Sequence, residues 1–192
     1  MNWKQSIVKN ILLLIYFTDQ GLRVKLQSVK SSLARRILWY SIKTLDILNI
    51  AIVNQILKRF GWPIKSVFGE KASLTAYYVI MHSNERTITK YIKLLSQAAN
   101  DGEADCQHLA NMIDRLLKYR KKKQIYGNAI RGLRVNGEMS FFIYPIVNRK
   151  KVNERRRRIG LNQTIEEYAK ANNAILDYGD DIFKRLTQYP CN

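Results

Sequence analysis

Nine polar residues of this chain stand in apolar surroundings, and these are the positions where side-chain chemistry could occur. Asp19, Gln20 and Arg23 follow the apolar run Ile11 to Phe17. Asp46 and Asn49 sit among Ile and Leu. His82 ends an aromatic stretch, Asp114 and Arg115 interrupt Met112, Ile113, Leu116 and Leu117, and Tyr126 follows a lysine run. A buried charge is costly unless it is paired. Two arrangements meet that requirement. In the structural one, Asp46 and Asp114 pair with Arg23 and Arg115, and His82 caps or bridges. In the other, the residues converge on a polar cleft. His82 would then be the acid–base group with Asp19 or Asp114 orienting it, and Gln20, Arg23, Asp46, Asn49, Arg115 and Tyr126 would contact a small-molecule ligand.

The common catalytic signatures are absent: there is no phosphate-binding G-x-x-x-x-G-K-[ST], no dinucleotide G-x-G-x-x-G, no H-E-x-x-H and no G-x-S-x-G. With only His82 and His108, a multi-histidine metal site is excluded, and no metal or particular cofactor is implied. Cys106 and Cys191 have no motif spacing. They define neither a disulfide framework nor a metal site, and Cys106 is expected to be buried or half-buried in a helix. The cytoplasm is the expected compartment.

The net charge of +18 is unevenly distributed. Residues 1–60 carry ten Lys/Arg against two acids, and residues 119–160 carry thirteen against two, so the two blocks contribute +8 and +11. Such blocks attract polyanions, acidic proteins or anionic membrane surfaces. Lys121, Lys122, Lys123, Arg155, Arg156, Arg157 and Arg158 are the candidates for gripping phosphates, with Tyr119, Tyr126, Phe141, Phe142 and Tyr144 nearby as possible stacking groups. The alternative is a solvated basic surface around a hairpin core, since no known nucleic-acid module is present.

The elements that must position these residues read as mostly helical. Apolar spacing of three and four predicts helices over about 3–17, 22–40 and 41–59. The second has the stripe Leu22, Leu26, Val29, Leu33 and Ile37, and the third has Leu45, Leu48, Ile52, Ile56 and Leu57. Gly61-Trp62-Pro63 is a stop, with Trp62 expected in the core. Further helices are predicted from Ser73 to His82, over 85–99 and over 103–119. Residues 124–130 and 139–146 lean towards strand around the turn signal Asn136-Gly137. Asn153 to Arg158 is a charged segment, and Leu161 to Leu176 reads as a last helix. The basic start and short apolar run resemble a signal peptide, but no small-residue cleavage site follows. The run is too short to cross a bilayer, so no transmembrane span is expected there. The reading is one mainly α domain over 1–192, with a small β-hairpin near 124–146.

In order along the chain, several pieces resemble a bacterial family designated domain of unknown function 6624. These are Asp19-Gln20-x-x-Arg23, Asp46-x-x-Asn49 followed by Gly61-Trp62-Pro63, Gly69-x-x-Ala72 with His82, Asp114-Arg115, Tyr126-Gly127, and Pro145-Ile146 through Asn153, Arg155-Arg156 and Gly160-Leu161. Together they span about 15–170. The chain departs from the pattern at Met81 and Asn84 around the histidine, at Asn128-Ala129 and at Val147-Asn148. The resemblance implies one continuous domain without an N-terminal signal and supplies no activity. Two classes therefore stand: a ligand-binding or catalytic domain centred on Arg23, His82 and Asp114, or a non-enzymatic basic interaction protein.

Overall fold

No proline precedes Pro63, so nothing in the first 60 residues removes a helical N–H or clashes with the preceding turn. In the computed structural model, which describes residues 3–188, this segment forms two long helices, α1 (Trp3–Ser28) and α2 (Ser32–Phe60). Three helices were expected, with a boundary near residue 40. The only break falls at 29–31, where Ser31 takes extended backbone and its hydroxyl accepts from the Ala34 N–H at 3.4 Å. Serine prefers such a cap to a helix interior because its side chain competes for backbone donors. Near residue 40 the single Ser41 stays helical, its hydroxyl donating to the Ile37 carbonyl at 3.1 Å. α2 ends where the Gly61 N–H returns to the Leu57 carbonyl, with Trp62 buried behind it as expected.

The chain divides into two compact units, one running to Ala104 and one from Asp105. The first is completed by α3 (Lys65–Phe68), α4 (Glu70–Met81) and α5 (Glu85–Asn100), the last capped by the Asn84 side chain on the Thr87 N–H. Its core includes Leu12, Val53, Leu57, Ala72, Ala76, Ile80, Ile88 and Leu95. The Thr75 hydroxyl donates to the Leu12 carbonyl at 2.9 Å and ties α4 to α1.

The second unit opens with α6 (Cys106–Tyr119), capped by Asp105. Cys106 is exposed, contrary to expectation, because it occupies the first turn, ahead of the buried stripe Ala110, Met112 and Leu116. β1 (Ile130–Val135) and β2 (Glu138–Ile143) pair antiparallel from Ile130 opposite Ile143 to Val135 opposite Glu138. Asn136 and Gly137 make the turn with φ of 51° and 85°, the two left-handed residues that a tight hairpin needs. A 3-10 turn (Arg149–Lys151) leads to α7 (Val152–Arg158) and α8 (Ile165–Ala171). The expected last helix is shorter than predicted. Thr164 starts it with a capping box, and Asn173, at φ 48°, follows it. β3 (Ala174–Ile175) then adds parallel to β2, and α9 (Asp180–Gln188) follows. Cys191 lies outside the described residues. The fold is thus mainly α, with a small three-stranded sheet built on the expected hairpin.

Candidate functional site

Asp19 and Arg23 lie one turn apart on α1, so their side chains meet on one face. The Arg23 guanidinium donates to Asp19 at 2.8 Å and reaches across to Asp46 on α2 at 2.5 Å. The Gln20 amide also donates to Asp19, at 2.8 Å. Burial pushes the Asp46 carboxyl up, against the pull of Arg23. Burial also opposes the charge on Arg23, but its two carboxylates outweigh this and hold its pKa above the ordinary value. One guanidinium thus serves both acids. Asp46 with Arg23 is the pairing the structural arrangement called for. Asn49 is buried on the same face of α2 as Ile42, Val53 and Ile56. His82 is exposed and forms the C-cap of α4.

In the second unit Asp114 has no exposed surface. Its carboxylate accepts from the backbone N–H groups of Ile125 (2.8 Å), Tyr126 (3.0 Å) and Asn128 (2.9 Å) rather than from Arg115. Burial raises its pKa, and these three amides pull it back. They also explain why 125–129 is a loop although it leans towards strand in sequence: the amides of Ile125, Tyr126 and Asn128 point at Asp114 and cannot serve a ladder, and only Gln124 keeps a bridge, to Ile146. Gly127 sits inside this loop at φ 84°, where a Cβ would lie 2.4 Å from Ile165 Cδ1. The Arg115 guanidinium lies over the Tyr119 ring at 5.5 Å. Tyr126 is half-buried, and burial raises its pKa.

Two members of the basic run are corrected by the same unit. Arg156 is 1% exposed, and its guanidinium donates to the Tyr126 and Gln163 carbonyls, both at 2.8 Å, and to Asn128 Oδ1 at 2.9 Å. Arg155 is half-buried and holds the Ile125 and Val147 carbonyls. Loop carbonyls left without strand partners attract guanidinium donors, so neither arginine faces a phosphate. Lys121, Lys122, Lys123, Arg157 and Arg158 remain exposed. Among the described residues, no group of three or more His, Cys, Asp or Glu is placed to hold a metal ion.

The arrangement that sequence reasoning missed lies on α1 and α2. The stripes assigned to the core are in large part at the surface: Leu33, Ile37, Leu48 and Ile52 are exposed. A groove between the two helices is lined by Leu14, Thr18, Gly21 and Leu22 on one side and by Leu45, Leu48 and Ile52 on the other. A second hollow at the α1–α2 turn is lined by Leu26, Ser32, Arg35, Arg36, Trp39 and Tyr40. The sequence carries a sign of this, since both helices have more apolar positions than one buried face can use.

A mainly helical chain with these ordered polar and Gly-Trp-Pro elements matches one family model over residues 7–179, described as a family of unknown function (DUF6624). The chain belongs to that family. No curated protein and no solved structure matches it.

Proposed function

We propose that the protein is a non-enzymatic, basic interaction module acting in the cytoplasm, and that it engages an anionic partner through the α1–α2 hairpin. The observation that carries this reading is the exposed face of the hairpin, where apolar and cationic side chains stand together. Besides the bridged Arg23, the chain from Gln20 to Leu45 has five Lys/Arg and no acid. By contrast, the polar residues that suggested a catalytic cleft are engaged within the protein. Asp114 accepts from three backbone amides, and Arg23 joins Asp19 to Asp46. A field of one sign without paired acids binds polyanions by counterion release, so affinity falls steeply with salt.

The test is a titration with single- and double-stranded oligonucleotides and with polyglutamate at about 50 and 200 mM salt. Binding is expected at the lower salt and should weaken at the higher. Arg35→Gln/Arg36→Gln/Lys43→Gln should reduce it markedly more than Lys121→Gln/Lys122→Gln/Arg157→Gln, which removes the same charge from the second block. No binding to these anions or to anionic vesicles, or equal loss from the two triple variants, rejects the reading. A small-ligand site remains the second reading, on the Asp19–Arg23–Asp46 cluster that joins α1 to α2.

A further inference from the structure

Each helix of the hairpin has two apolar stripes. On α1 the buried stripe is Val8, Leu12, Ile15 and Asp19, and on α2 it is Ile42, Asn49, Val53 and Ile56. Two residues away, about 160° around each helix, a second stripe faces solvent. On α1 it is Trp3, Ile7, Leu14, Phe17 and Val24, and on α2 it is Leu33, Ile37, Tyr40 and Ile47. Both repeat at spacings of three, four and seven, and Ile47 is 70% exposed. Cations flank them. The Lys4 ammonium lies over the Trp3 ring at 5.6 Å and Lys43 over Trp39 at 5.5 Å, while Arg35 and Arg36 line the hollow beside Trp39 and Tyr40.

We propose that this face of the hairpin lies on an anionic lipid bilayer, with the apolar stripes in the acyl boundary and Arg36 and Lys43 among the headgroup phosphates. The inference rests on the reading of the chain as a basic interaction module and names its partner. The composition is that of interfacial helices: aliphatic and aromatic side chains on one face, Lys and Arg at its margins, no acid on the exposed stripe. Aliphatic side chains gain little from nucleic acid, where stacking and phosphate contacts supply the affinity. A second copy on this face would bring Lys4, Lys25, Arg36 and Lys43 against their own kind. An anionic surface complements both the apolar stripe and the charge.

The hairpin lies on the bilayer rather than through it. α2 is long and apolar enough to cross one, with a mean hydropathy of 1.2 over its best 18-residue window, of which 17% is buried. Its opposite face, however, is committed within the unit, through Ile42, Val53 and Ile56 and through Asp46 on Arg23. One free apolar face suits the interface.

The experiment is flotation of the full chain with phosphatidylcholine vesicles, with and without phosphatidylserine, with tryptophan emission read in parallel. Binding is expected only when phosphatidylserine is present. It should be accompanied by a blue shift, weaken as salt rises, and fall about tenfold or more in Ile37→Gln/Ile47→Gln. Both isoleucines are exposed, so that variant should keep its circular dichroism and its oligonucleotide binding. Arg36→Gln/Lys43→Gln should lose vesicle binding too. Equal binding to vesicles without phosphatidylserine overturns the proposal, as does unchanged binding of the isoleucine variant. A solution dimer that the isoleucine variant disperses overturns it in favour of a second copy. Oligonucleotide or polyglutamate binding without vesicle binding overturns the lipid partner and leaves the interaction reading intact. Binding to none of these removes both.

Discussion

Asp114 illustrates how one buried residue can organise a loop. A carboxylate without solvent contact is tolerated when its lone pairs are filled, and here the N–H groups of Ile125, Tyr126 and Asn128 fill them. In Asp114→Asn, one oxygen becomes an NH2 donor facing the N–H groups of Tyr126 and Asn128. We expect the variant to be destabilised by about 2–4 kcal/mol, since a buried donor left unsatisfied carries its full desolvation cost. Chemical denaturation measures this, and a loss below about 0.5 kcal/mol, the range of an ordinary surface change, would contradict the role. The sequence marked Asp114 as costly to bury and identified Arg23 as the partner of Asp46. It did not mark backbone amides as the partner of Asp114, because those donors come from a segment 11 to 14 residues away whose conformation they themselves define.

At the scale of elements, the stop after α2 shows which signals were legible. Gly61 supplies the cap, Pro63 ends helical continuation, and Trp62 packs between them at 6% exposure. Trp62→Ala should cost about 3–5 kcal/mol, and a change under about 1 kcal/mol in thermal or denaturant unfolding would show that the ring contributes little. Asn136-Gly137 was legible for the same reason: each residue type carries a specific backbone requirement. The serine break at 29–31 was harder to read, because apolar spacing continues across it and serine only weakly opposes a helix. β3 was missed because its two residues gain their pairing from β2 rather than from their own pattern. Of the outer stripes, only Leu33 and Ile37 on α2 were visible as spacing, and periodicity says that residues share a face and not what covers that face.

For the whole molecule, the two compact units raise the question of whether they unfold together. The first unit runs directly into the second, Ala104 to Asp105, and its last residues are held within it. The Glu103 N–H donates to the Ala98 carbonyl at 2.7 Å, and the Glu103 carbonyl and carboxylate accept from the Lys65 and Ser66 N–H groups. Limited proteolysis is therefore expected to leave residues 15–170 uncut under native conditions, with one unfolding transition by fluorescence and circular dichroism. Two stable fragments meeting near Ala104 would instead mark independent domains.

The solvent-facing apolar stripe of the hairpin also bears on how the protein behaves in a tube. A surface of this kind is sticky, and copies are held apart by mutual repulsion from a net charge of +18. Screening shortens the reach of that repulsion from about 10 Å at 0.1 M salt to about 3 Å at 1 M, whereas the attraction between apolar faces does not fade. Concentrated stocks should then stay clear in dilute buffer and turn cloudy in brine, the reverse of the usual remedy for a basic protein. Purification on a cation exchanger would elute the chain into the conditions in which its colloidal stability is poorest.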